Sequence, residues 1–179
     1  MDSKIKFKVE SLKWTGIAFC AMLLILLSAC NTNNWADWKA QNEAWLENNK
    51  MQENVEVTSS GLQYKVIADP TKQDAKPKET STIICDYRVR LINGYIVDAG
   101  NYVQLTLSNT IPGFAEGCYH IHNNGDIEIY IPAYLGYDNS KYKSNEYNMA
   151  EGYGTEGTQS YIPPYSTLIY EVHICAVSD

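Results

Sequence analysis

YIPPYSTLIYEV, residues 161–172, sets two adjacent prolines in front of a run in which Leu168, Tyr170 and Val172 recur at every second position. A proline has no backbone N–H and a fixed φ, so Pro163 and Pro164 make a rigid corner that cannot join a central ladder. The period of two that follows is that of a strand with one face on the core. Upstream, the same period recurs in GLQYKVI (61–67), in STIICDYRVRLINGYIVD (81–98), in VQLTLS (103–108) and in DIEIYIPAYL (126–135). Asn93-Gly94 within the second of these predicts a hairpin closed by a type I′ turn. IPGFAEGCYHI (111–121) departs from that rhythm: Phe114, Cys118 and Ile121 have helical spacing, with Pro112 near the N-terminus. The expectation is an α+β domain, a curved antiparallel sheet of about five strands wrapped on one short helix.

The first residues are set apart as a targeting segment. Lys4, Lys6, Lys8 and Lys13 precede an apolar run, Ile17 to Leu27, that is short for a membrane span and ends in LSAC. That tetrapeptide resembles the bacterial lipobox, in which the cysteine, here Cys30, is acylated and anchors the chain to a membrane. Asn31, standing where Asp would resemble an inner-membrane retention signal, points to the outer membrane. The expected organisation is a lipoprotein signal peptide at 1–29, a lipidated tether at 30–34, a helix and linker at 35–56, and a sheet domain at 57–179 with a long loop at 138–160. The net charge is −7, and the leader carries four lysines against two acids, so the remainder is more acidic still. An acidic surface without a basic stripe excludes nucleic acid as a partner. Cys85, Cys118 and Cys175 remain after Cys20 and Cys30, an odd set in apolar contexts that reads as buried free thiols. Cys118, His120 and His122 have no CxxC pair and no fourth ligand in register, so no metal is assigned.

WADWKAQNEAWLENNKM (35–51) sets Trp35, Trp38, Asn42, Trp45, Leu46 and Asn49 at helical intervals, which gathers three indoles on one side of an N-terminal amphipathic helix. Docking on its own domain is favoured over a homodimer seam through Trp35, Trp38 and Trp45. Residues 138–160, rich in Gly, Ser, Asn and Tyr, read as a long aperiodic loop of the kind that contacts something.

GLQYKV, IICDYRVRLINGYIVD, TIPGFAEG, IYIPAYLGY and YIPPYSTLIYEVHI stand in the order and at the spacing of the signature stretches of FK506-binding-protein (FKBP) peptidyl-prolyl isomerases. Over residues 61–177 the chain resembles that family. The resemblance implies an FKBP-like fold and rotamase activity on X-Pro bonds of protein clients, aiding protein folding in the cell envelope without a cofactor. It assigns Tyr87 as a pocket-wall phenol, Asp98 as a carboxylate near the twisting carbonyl, and Ile111 as a backbone N–H donor. Phe114 forms the floor where the family has tryptophan, with Val103 and Tyr170 as walls and Ile162 at the rim. The substrate-bonding phenol is Tyr137 or Tyr153; Tyr137 is preferred because a strand places it, whereas Tyr153 rides on the loop. Val97 stands where the family has a phenylalanine, DYRV replaces HYTG, and the connection from Asp98 to Val103 is short. These departures imply a weaker pocket with altered specificity. Two other functions compete: a non-catalytic module that grips a protein or glycan through the pocket and the Tyr-rich loop, and a structural lipoprotein assembled through its Trp helix.

Overall fold

Alternation along the strands decides which side chains meet. Ile83, Cys85 and Val89 on one strand, Ile127, Ile129 and Ile131 on a second, and Leu168, Tyr170, Val172 and Ile174 on a third are all buried in one core. The computed structural model describes residues 35–70, 76–138, 147–148, 152–154 and 159–178. The expected signal peptide, the expected tether with Cys30 and most of the loop 138–160 lie outside the described residues.

In chain order the elements are α1 (Trp35–Asn49), β1 (Glu56–Val57), β2 (Gln63–Ala68), β3 (Thr82–Arg90), β4 (Ile96–Thr106), α2 (Pro112–Cys118), β5 (Asp126–Ile131), β6 (Tyr147–Asn148), β7 (Gly152–Tyr153) and β8 (Leu168–Ser178). Short 3₁₀ turns follow β4 at Leu107–Asn109 and β5 at Ala133–Leu135. A six-stranded antiparallel sheet has the order β1-β2-β5-β8-β3-β4, and β6 and β7 form a separate two-stranded ribbon. The sheet thus has five long strands and a two-residue sixth, β1. The ribbon corrects the reading of 138–160 as wholly aperiodic.

Two further corrections concern β4. VQLTLS is not a strand of its own: it continues the returning arm of the hairpin into one strand of eleven residues. The turn is not type I′, which needs positive φ at both Asn93 and Gly94; only Gly94 has it, at +84°. Gly94 N–H bonds to Leu91 O and Leu91 N–H to Tyr95 O, both at 2.9 Å, so three residues turn the chain and Gly94 takes the left-handed position that a type I turn with a bulge requires.

Helices cover both faces of the sheet. Ile111 caps α2 with Pro112 in its first turn, and Gly113, Phe114, Ala115, Gly117 and Cys118 are buried. A Cβ on Gly117 would lie within 2.8 Å of three atoms of Ile129, so glycine is what lets α2 approach β5 so closely. On the opposite face, Tyr130 packs its ring 5.8 Å from Trp45, and Ile169 is fully buried outside the main core. Here α1 is docked, and its most buried residues are Asn42 and Asn49 rather than its indoles. Asn42 Oδ1 accepts the Thr167 N–H at 2.7 Å, Asn49 Nδ2 donates to Gln63 Oε1 at 2.9 Å, and Gln63 Nε2 donates to Leu46 O at 3.0 Å. The Trp38 indole donates to Ser166 Oγ at 3.0 Å, and that hydroxyl donates to Pro163 O at 2.6 Å. The half-buried Trp35, Trp38 and Trp45 therefore belong to a seam closed mainly by amides.

Candidate functional site

A basin of about 280 Å³ opens over the β3, β4 and β8 side of α2, lined by Tyr87, Asp98, Leu105, Asn109, Thr110, Ile111, Phe114, Tyr137, Tyr153 and Tyr170. Each wall follows from local structure. Tyr170 alternates inward on β8, is 8% exposed, and sets its ring 5.1 Å from Phe114, the buried floor supplied by the first turn of α2. Tyr87 on β3 is 6.2 Å from Tyr170 and donates its hydroxyl to Asp98 Oδ2 at 2.9 Å. Asp98 Oδ1 accepts the Ala99 N–H at 2.8 Å. Burial, reinforced by the bond to the Asp98 carboxylate, pushes the Tyr87 phenol up to about 12. Tyr170 is raised well above the ordinary value chiefly by burial, so both rings are neutral donors at physiological pH.

The Ile111 carbonyl accepts from Phe114 and Ala115 N–H, while its own N–H makes no hydrogen bond among the described residues. A donor at a helix N-terminus beside an apolar basin is placed to meet a carbonyl oxygen.

Tyr87, Asp98, Ile111, Phe114, Tyr137, Tyr153 and Tyr170 come together as the sequence suggested; Val97, Val103 and Ile162 do not line the basin. Val97 is the extra residue of a bulge opposite Val89 and lies in the core, 4% exposed, while exposed Asp98 next to it reaches the basin rim. Val103 is replaced at the wall by Leu105, two residues on and so on the same face. Ile162 is buried and exchanges both backbone bonds with Tyr153, at 2.8 and 2.9 Å. That bridge bears on the two candidate phenols. It returns Tyr153 to the basin, where its ring stacks on Tyr137 at 4.1 Å with 22° between planes, so both are present. Leu105 was within reach of the period-two pattern, and Asn109 and Thr110 precede the cap residue Ile111. The Tyr153-Gly154 pair was the one signal that the insertion returns to the site.

The histidines serve elsewhere. His120 stacks on Tyr64 at 4.0 Å, and His122 meets Asp69 through Nδ1 at 2.9 Å. Among the described residues no cluster of His, Cys, Asp or Glu is fit to hold a metal, and Cys85, Cys118 and Cys175 are free thiols.

The same fold recurs in known proteins. Residues 73–175, more than half of the chain, match the FKBP-type peptidyl-prolyl cis-trans isomerase family. The chain belongs to the FKBP family. Residues 27–66 match the domain amino-terminal to FKBP-type isomerases, a range that takes in α1, β1 and the start of β2. The outer membrane protein MIP of Legionella longbeachae is 31% identical over 143 residues, 78% of this chain and 54% of that protein. The FKBP-type isomerase FkpA of Escherichia coli K12 is 29% identical over 178 residues, 97% of this chain and 59% of that protein. The crystal structure of FkpA from Escherichia coli superposes with a TM-score of 0.64 at 25% identity, covering 99% of this chain and 73% of that one. The chain spans about half the length of the curated relatives it matches.

Proposed function

We propose that this FKBP-family chain catalyses cis-trans isomerisation of X-Pro bonds in client proteins within the bacterial envelope, tethered by a lipid on Cys30. The observation that carries the reading is the basin itself, with Phe114 and Tyr170 packed as a floor and the Tyr87–Asp98 bond at its rim. Rotation about a peptide bond crosses about 18–20 kcal/mol because amide resonance is lost. In X-Pro the two isomers are close in energy, so a catalyst has only to bind the twisted amide better than either planar form. The aromatic floor takes the proline ring out of water, where the twisted amide, with less charge separation than the planar one, loses least solvation. The Ile111 N–H holds a flanking carbonyl, and the Tyr87 hydroxyl fixes the Asp98 carboxylate beside the carbonyl that rotates. Tyr137, braced by Tyr153, supplies a second hydroxyl on the far wall.

The test is the exchange rate of Xaa-Pro tetrapeptides measured by NMR on the full chain. Acceleration is expected, reduced at least about tenfold by Asp98→Ala and by Phe114→Ala in protein that retains its fold. Exchange at the uncatalysed rate from folded protein across a panel of residues before proline would refute the enzyme. Asp98 is exposed, and its screened charge supports a second reading, a binding module that holds proline segments without turning them over. That reading expects peptide binding without acceleration. The anchor is supported by the lipobox-like LSAC and by the match to a protein titled an outer membrane protein. Incorporation of labelled fatty acid that disappears in Cys30→Ala is the expected result.

A further inference from the structure

Among the described residues β4 is the last strand of the sheet, with β3 on one side and no strand on the other. Leu107 N–H bonds to Ser81 O at 3.0 Å, and from there the ladder runs without a shift through Thr106 opposite Thr82 to Val103 opposite Cys85. Antiparallel pairs alternate between bonded and non-bonded. Leu105 and Val103 therefore direct their N–H and C=O to β3, whereas Gln104 and Thr106 turn theirs away from the sheet. The 3.0 Å contact between the Thr82 and Thr106 hydroxyls agrees, since side chains approach most closely across a non-bonded pair.

Proteins blunt such an edge with lysine, proline, short length or a covering segment. The opposite edge, β1, is two residues long. β4 has eleven residues, one charge at Asp98 and no proline, and it leaves Ile96 40% and Tyr102 76% exposed. Among the described residues its protection is a pair of bulges, at Val97 opposite Val89 and at Asn101 and Tyr102 opposite Asp86, which divide it into short regular runs. The second bulge is held by the Tyr102 N–H on Asp86 Oδ1 at 2.6 Å and puts Tyr102 at φ +53°, a conformation a bulky residue rarely adopts. A second copy, whose edge carries the same kinks, cannot stay in register along this one. A short extended segment can.

The run Val103–Thr106 is continuous with the basin, because Leu105 and, beyond the second bulge, Asp98 both line it. We infer that β4 is a client-binding edge. An extended, uncharged, β-prone segment beside the client's proline adds to the sheet through the outward N–H and C=O of Gln104 and Thr106, with Tyr102 as an apolar contact. The position of the proline rests on the isomerase reading of the basin; the pairing does not.

The test uses the full chain and two probes that share the core Ala-Leu-Pro-Phe, the blocked tetrapeptide and a ten-residue peptide flanked on both sides by Thr-Val-Thr. Affinity and exchange rate are read by NMR. The longer probe is expected to bind about tenfold more tightly, the worth of a pair of added backbone bonds. N-methylating alternate amides of one flank should abolish that gain, and N-methylating the intervening ones should leave it. Gln104→Pro removes an outward N–H without touching the β3 ladder, so it should lose the gain and keep the tetrapeptide rate. Equal affinity of the two probes, or equal loss at every methylated amide, overturns the inference. So does a free protein that sediments as a dimer and becomes a monomer in Gln104→Pro, which assigns the edge to a second copy. Failure to accelerate the tetrapeptide overturns only the isomerase reading, since the alternation is read from binding of the longer probe.

Discussion

Tyr87 shows how a single side chain joins fold to chemistry. Period two on β3 turns it to the core side, the hairpin register brings Asp98 across from Val89, and the phenol then donates to that carboxylate at 2.9 Å. Its pKa rises from 10.0 to about 12, which means that the folded chain holds this proton more tightly than the unfolded one. The associated stability is complete below pH 10 and is lost as pH climbs through about 12. Tyr87→Phe should therefore lose less stability than the parent between those values, measured by urea unfolding at a series of alkaline pH, and its phenolate absorbance should lack one late-titrating tyrosine. Equal alkaline losses in both proteins would mean that neither burial nor Asp98 raises the Tyr87 phenol.

Among the elements, α2 lies close against β5. Gly117 faces Ile129 with would-be Cβ distances of 2.5, 2.6 and 2.8 Å, so the closeness of helix to strand, and with it the depth of Phe114 beneath the basin, depends on a missing side chain. Alanine is the better helix former by about 1 kcal/mol. Overpacking a core costs about 1–3 kcal/mol, and with three contacts this short the steric term wins. Gly117→Ala should unfold at lower denaturant, and adding Ile129→Val, which removes the nearest of the clashing atoms, should return part of the loss. α1 is bound by different physics. Its seam is an amide network in which Asn42 satisfies the buried Thr167 N–H. Asn42→Ala leaves that donor without its partner, and a drop of about 1–3 kcal/mol is expected by urea unfolding.

For the molecule as a whole, the stretch that begins with Ile162-Pro-Pro is where separate parts meet. Ile162 grips Tyr153 of the insertion, Ser166 and Thr167 hold α1, and Tyr170 enters the basin. α1 and the sheet should accordingly unfold together. A single transition is expected by both tryptophan fluorescence, to which Trp35, Trp38 and Trp45 of α1 contribute three of the chain's four indoles, and far-ultraviolet circular dichroism; two separated transitions would show that α1 is an independent appendage. Much of this architecture was legible beforehand. Alternation marked the long strands because a half-buried strand must repeat every two residues, and Phe114, Cys118 and Ile121 marked α2 because a helix must repeat every three or four. The ordered signature stretches carried the family and seven of the basin's residues. Asn42 and Asn49 were placed on the face of the indoles, but that they would be its most buried residues was not legible, since amides enter a seam only when another element supplies their partners. Val97 could not be told from a wall residue, because a bulge is a two-strand property that changes which face a side chain takes. Nor could Tyr137 and Tyr153 be seen as partners, since their stacking depends on a backbone bridge to Ile162 across the insertion. Local periodicity and residue chemistry are written along one chain and can be read there, but register, close approach and the satisfaction of buried polar groups are relations between segments and exist only once those segments have packed.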